Sequence, residues 1–135
     1  MSTPSHVELI RPPELSGRAP YAYAARLSDV SQLVFSAGAC PINEDGLTVA
    51  PGRIREQTGK AMDNLEIALR ASGVDLSDVV KTTIYVASDR REDLTAAWEV
   101  VQARFGEHEP PSTLIGVTVL GYRDQLVEIE AIAAR

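Results

Sequence analysis

Apolar residues recur along this chain with two periods, and each period predicts a different element. Ile54, Ala61, Met62, Leu65, Ala68 and Leu69 fall on one stripe at helical spacing over residues 54–72. Gly73 stands just past that stripe, where a helix end favours a left-handed residue. Leu94, Ala97, Trp98, Val101 and Phe105 repeat the spacing up to Gly106, and Asp89-Arg90-Arg91-Glu92 before them has the form of a capping box. Elsewhere the period is two. Across residues 126–133, Val127, Ile129 and Ala131 alternate with Glu128 and Glu130. Alternate residues of a strand share a face, so the two carboxylates point one way and the three apolar residues the other. The β-branched run 79–87 predicts another strand, in which Thr82, Ile84 and Val86 alternate with Lys81, Thr83 and Tyr85. Residues 113–120 predict one more. Upstream, residues 6–10, 21–27 and 33–37 read as three strands. Arg11-Pro12-Pro13 and Ser16-Gly17 break the chain after the first of them, and residues 28–32 have the length of a hairpin loop between the second and third. Residues 38–52, with Pro41, Gly46, Pro51 and Gly52, predict a loop.

The order β-β-β-α-β-α-β-β predicts an α+β two-layer sandwich, a mixed sheet with two helices on one face. Glu128 and Glu130 belong to the other face. Because the alternate face of strand 79–87 is only partly polar, the outer side of the sheet is expected to be covered by other subunits.

A chain of 135 residues is expected to form a single domain over 1–135, with an N-terminal arm and first strand in 1–18. It can bury roughly 68% of its unfolded surface, enough for one core. The net charge of −6 and pI near 4.9 argue against a general nucleic-acid binder, which needs a basic patch. The lone Cys40 cannot form an internal disulfide. No apolar run approaches the roughly 20 residues of a membrane span, and residues 1–11 lack the apolar centre of a signal peptide. The expectation is a cytoplasmic protein without membrane contact. His6 and His108 lack metal-ligand spacing, and no phosphate-binding glycine motif occurs.

The motifs Ala19-Pro20-Tyr21, Leu33-Val34-Phe35-Ser36-Ala37-Gly38, Gln57-Thr58, Asn64-Leu65, Asp78-Val79-Val80-Lys81-Thr82-Thr83 and Val127-Glu128-Ile129-Glu130-Ala131 occur in the order and spacing of a known family. From about Ala19 to Ala133 the chain resembles the RidA/YjgF (reactive intermediate deaminase) family. The resemblance implies a chorismate-mutase-like fold, a homotrimer, pockets between neighbouring subunits and no cofactor. It also implies hydrolysis of reactive enamines and imines to 2-keto acids and ammonia. Some members of that family only bind small metabolites, and others have been described as ribonucleases or translation inhibitors. The chain departs from the pattern at one telling place. The family's arginine, which opens the penultimate strand, falls at Ser112. A serine cannot offer the bidentate fork that a substrate carboxylate takes from arginine. The family's serine-glycine-glutamine turn is Ala37-Gly38-Ala39, and Trp98 stands where asparagine is common.

On this resemblance, the expected catalytic residues are Glu128, which would position water and relay protons, and Tyr21. The expected substrate-binding residues are Gly38, Ser112, Thr113 and Trp98, with no metal. The plainer alternatives are a structural interfacial Glu128, a Tyr21 satisfied by backbone, a Gly38 that only turns the chain, and a Trp98 packed in the core. Ser112 has no histidine nearby in sequence to make it a nucleophile. Glu130 is expected to pair with a basic residue of a neighbour, Arg123 is a candidate replacement for the missing guanidinium, and Cys40 is expected to be inert. Three functions follow for comparison: a deaminase-type hydrolase whose activity is lost or redirected by Ser112, a non-catalytic small-molecule-binding or regulatory protein, and a ribonuclease or translation inhibitor. Acidity and the absence of a histidine acid/base pair disfavour the last.

Overall fold

The strands at the centre of the molecule form where the alternation is strictest. A computed structural model, describing residues 6–135, places β1 at Val7–Ile10, β2 at Ala24–Leu27 and β3 at Leu33–Phe35. Helix α1 (Ile54–Ala71), a 3₁₀ turn (Leu76–Asp78), β4 (Val79–Ala87), α2 (Arg91–Phe105), β5 (Ser112–Val117) and β6 (Val127–Ala134) follow. This is the expected order. The main sheet has the order β3-β6-β4-β5, with β4 parallel to β5 and antiparallel to β6. Val127, Ile129, Ala131 and Ala133 are buried on the helix side, packed with Ile84 and Val86 against Met62, Leu65 and Leu69 of α1 and Val101 of α2. Both helices lie on that face. Burying each Val, Leu, Ile or Met side chain of this set contributes about 1.5–3 kcal/mol, the main favourable term for the fold.

Three local expectations are corrected. The second and third strands do not form a hairpin. β2 pairs antiparallel with β1 in a separate two-stranded sheet, and β3 pairs with β6. The intervening loop is drawn to the C-terminus instead, because the Ser31 and Gln32 amides both donate to the Arg135 carbonyl at 2.9 Å. Val34 then enters the core beside Ala133. The capping box before α2 is also absent. The helix starts later than the motif suggests, with Arg90 as N-cap and no side-chain cap of its own. Ser88 Oγ accepts from the Arg90 amide (3.0 Å) and donates to Asp93 (2.7 Å). A reciprocal cap does occur, at the 3₁₀ turn, between Asp75 and Asp78. Third, the strand expected over 113–120 ends at Val117, since its partner β4 ends at the paired Ala87.

The stripe on α1 is correct except for Ala68, which is exposed, and it omits Gln57 and Thr58, which are fully buried. Gly73 closes the helix as expected, with φ of 86° and its amide bonded to the Arg70 carbonyl. The outer face of the sheet leaves Leu33, Phe35 and Ile115 exposed, Phe35 to 68%. No helix among the described residues is long and apolar enough to cross a membrane.

Candidate functional site

Glu128 points to the outer face from β6, level with Tyr85 of β4 and Ile115 of β5. Beyond Phe35 the chain continues alongside β6: the Ser36 amide donates to Ala131, and Ala39 exchanges two backbone bonds with Ile129. This brings Gly38 against the Glu128 side chain. A Cβ at Gly38 would lie 2.2 Å from Glu128 Oε2 and 2.5 Å from its Cδ. The glycine is therefore needed for a close approach, and what approaches is the carboxylate of its own chain.

Two donors meet on the other carboxylate oxygen. Cys40 Sγ and Gln125 Nε2 each lie 3.2 Å from Glu128 Oε1. Gln125 is buried; its second amide proton goes to the Val127 carbonyl, and its oxygen accepts from the Tyr122 amide. Burial, then the bond to Glu128 and its charge, push the Cys40 thiol up to about 11. The thiol stays protonated at neutral pH, so it is a poor nucleophile, as expected. It is not without a neighbouring base, however, since Glu128 is that neighbour.

Helix α1 holds both donors in place through two side chains seven residues apart. Asn64 Nδ2 donates to the Cys40 (2.8 Å) and Ile42 (3.0 Å) carbonyls. Gln57 Nε2 donates to Ala50 and Asp124, while its oxygen accepts from the Leu126 amide at 2.8 Å. The segment that delivers Gln125 is thus tied to the helix immediately before and after that residue. Glu130, next along β6, accepts from the Tyr85 hydroxyl at 2.8 Å. That bond, above all, raises the Tyr85 phenol above its ordinary range and keeps it a neutral donor.

The other expected residues gather elsewhere. Tyr21, Trp98, Ser112 and Thr113, with Pro20 and Leu114, line a groove of about 470 Å³. Tyr21 and Trp98 meet edge to face, 6.2 Å between centroids and 88° between planes, and Tyr21 also meets Tyr23 edge to face at 5.9 Å. Trp98 is half-buried, so it both packs on the core and walls the groove. Ser112 Oγ accepts from Thr82 (2.6 Å) and donates to the Pro110 carbonyl (2.9 Å). Its hydroxyl is committed to structure. Register puts Ser112 beside buried Thr82, on the helix side of the sheet, while Thr113 lies beside Thr83 on the Glu128 side and accepts from Lys81 Nζ at 2.7 Å. Within one protomer the six expected residues therefore form two groups, Glu128 with Gly38 and the four of the aromatic groove. Arg123 is exposed in its loop and bonds to neither.

Sequence reasoning missed Gln125 and the anchoring roles of Gln57 and Asn64. Gln57 and Asn64 stand in two of the sequence motifs, but nothing local says which carbonyls they reach. Among the described residues no group of three or more His, Cys, Asp or Glu side chains could hold a metal ion.

Comparison with known proteins gives a consistent result. Residues 13–135 match the family model described as Endoribonuclease L-PSP. A RutC family protein of Pyrococcus abyssi is 35% identical over 114 residues, 84% of this chain and 85% of its own. The 2-iminobutanoate/2-iminopropanoate deaminase of Escherichia coli K12 is 30% identical over 110 residues, 79% of this chain and 83% of its own. Among solved structures, the Rid family protein YyfB of Yersinia pestis, of unknown function, superposes with a TM-score of 0.89 at 26% identity, covering 97% of this chain and 100% of its own.

Proposed function

The chain belongs to the Endoribonuclease L-PSP family, the RidA/YjgF proteins, and from that membership we propose that it hydrolyses a small, weakly polar imine or enamine in a pocket completed between the subunits of a cytoplasmic homotrimer. The observation that supports this best is the state of the Glu128 carboxylate. Oε1 takes two donors, while Oε2 takes none. No buried side-chain oxygen among the described residues lacks a partner, so Oε2 reaches solvent. A carboxylate oriented through one oxygen and open at the other suits general acid–base work on water.

The reaction balances on that one group. Water adds to the C=N carbon, forming a C–O bond as Oε2 takes its proton. Oε2 passes that proton to the nitrogen, giving a carbinolamine; the new hydroxyl then gives up its own proton, relayed to the nitrogen by the same carboxylate, and the C–N bond breaks as C=O forms and ammonia leaves. No cofactor enters. The groove of Tyr21, Trp98, Ser112 and Thr113 is proposed to come from the neighbouring subunit and to hold the organic part of the substrate. Without an arginine at Ser112 a substrate carboxylate loses a charged hydrogen bond, on the order of 1.5–3 kcal/mol. The preferred imine is therefore expected to be one without a carboxylate. Ammonia release from imines generated in situ tests this. An uncharged imine should be hydrolysed faster than in buffer and faster than 2-iminobutanoate, with Glu128→Gln removing about 100-fold or more. Rates equal to buffer for both imines overturn the hydrolase.

Exposed Phe35, Leu33 and Ile115 support the trimer, because apolar side chains on a sheet face gain from being covered. Phe35→Glu is expected to shift the solution mass from three chains toward one, as read by light scattering; an unchanged trimer would place the interface elsewhere. The committed Ser112 hydroxyl and the aromatic walls favour a second function, a protein that binds a metabolite without turning it over. In that case a ligand raises the melting midpoint while no ammonia is released. The pairing of the arginines counts against an RNA partner. Most of the arginines, including Arg26, Arg55 and Arg104, are already paired with carboxylates.

A further inference from the structure

We propose that Cys40 and Gln125 are positioning residues for Glu128: both donate to Oε1, and together with Gly38 they leave Oε2 as the working oxygen. The inference rests on the hydrolase proposal for the purpose of the arrangement, but the arrangement itself can be tested without turnover.

The geometry has three parts. A carboxylate at the end of a glutamate side chain has free torsions, and two donors on one oxygen remove that freedom. The single thiol proton has two acceptors within reach, the Gly38 carbonyl at 3.4 Å and Glu128 Oε1 at 3.2 Å. The carboxylate is nearer and charged, so it takes the stronger bond. Gln125 brings a neutral amide whose other bonds are fixed to Tyr122 and Val127. Gly38 closes the remaining side, since any larger residue would occupy the space of Oε2. Neither donor carries a charge, so Glu128 is oriented without being neutralised by an ion pair. The nearest other titratable side chains on this face, Tyr85 and Glu130, are bonded to each other and do not compete for it. The thiol's high titration point agrees with a donor facing an anion.

Alkylation of Cys40 by iodoacetamide between pH 7 and 10 reads the pairing directly. In the unaltered protein the thiolate is about one part in a thousand at pH 8 when the thiol titrates near 11. Glu128→Gln keeps the shape and removes the charge, so alkylation is expected to accelerate about tenfold, with circular dichroism confirming the fold. An unchanged rate overturns the pairing. The positioning role is read on the imine that is turned over. Cys40→Ala is expected to lower kcat about five- to tenfold with KM unchanged, and Cys40→Ser, which retains a donor, to restore most of it. A Cys40→Ala enzyme with full kcat overturns the role. If no imine is turned over by any form of the protein, the hydrolase proposal fails, and the alkylation rates alone then decide whether Cys40 and Glu128 are paired.

Discussion

Gly38→Ala is expected to reduce any turnover that depends on Glu128 by about 100-fold or more, the scale set by moving a reacting group about 1 Å, while the protein still folds. The new Cβ would sit 2.2–2.7 Å from three atoms of the Glu128 side chain. No real pair of atoms tolerates that, so one partner must move. Gly38 is held by the strand-like pairing of its neighbours, Ser36 with Ala131 and Ala39 with Ile129. The side chain of Glu128 is the softer partner. It rotates away, giving up Cys40 and Gln125, and Oε2 no longer occupies its place. The cost to stability is small because the displaced carboxylate can reach water. Gly59→Ala in α1, where a Cβ meets open space, is the control. The measurement is kcat on the imine turned over, alongside thermal melting. An alanine variant with full activity would mean that the position of Oε2 is immaterial, and Glu128 would then lose its place as the water-handling group.

How much of this was legible beforehand depended on the range of the interaction. The α1 stripe, β4 and β6 follow from spacing alone, because each element buries one face and the residues announce which. Glu128 could be placed on the outer face for the same reason. The pairing of β2 could not. A five-residue gap suits a hairpin, yet the edge of β6 and the C-terminal carbonyl of Arg135 compete for the same segment and win it. Gly38 was legible as a site residue, but not that the Glu128 side chain packs against it. The Cys40 donor to Glu128 was illegible for a plainer reason. Cys40 lies 88 residues away in sequence, and a thiol is read as inert when no base adjoins it along the chain. Ser112 was legible as the place of the missing arginine and as an expected substrate-binding residue, but not the bonds of its hydroxyl to Thr82 and the Pro110 carbonyl, which only the strand pairing brings together. The grouping of Tyr21 and Trp98 required the β1–β2 sheet to be tied down by the Ala22 amide on the Glu109 carbonyl, a contact without a sequence signature.

Gln57→Leu is expected to be a severely damaging change to stability, about 3–5 kcal/mol, because it strands three part-buried backbone groups at roughly 1–3 kcal/mol each. Gln57 is fully buried and uses every polar atom: two carbonyls, Ala50 and Asp124, and one amide, Leu126. Ala50 and Asp124 both have positive φ, 46° and 63°, a conformation that non-glycine residues adopt only when held. One side chain thus pins two strained turns to the helix. Leucine has nearly the same volume, so packing is preserved and the loss is almost wholly polar. In urea the midpoint should fall with an unchanged slope, and melting should drop by roughly 10–20 °C at about 3–5 °C per kcal/mol for a domain of this size. Thr58→Val beside it is the comparison. Thr58 Oγ1 bonds only to the Ile54 carbonyl within its own helix, and its loss should cost about 1 kcal/mol. A Gln57→Leu loss no larger than that would show that water enters to satisfy the three groups. A large loss, together with faster alkylation of Cys40, would show that the same anchor that stabilises the fold also fixes Gln125 and, through it, Glu128.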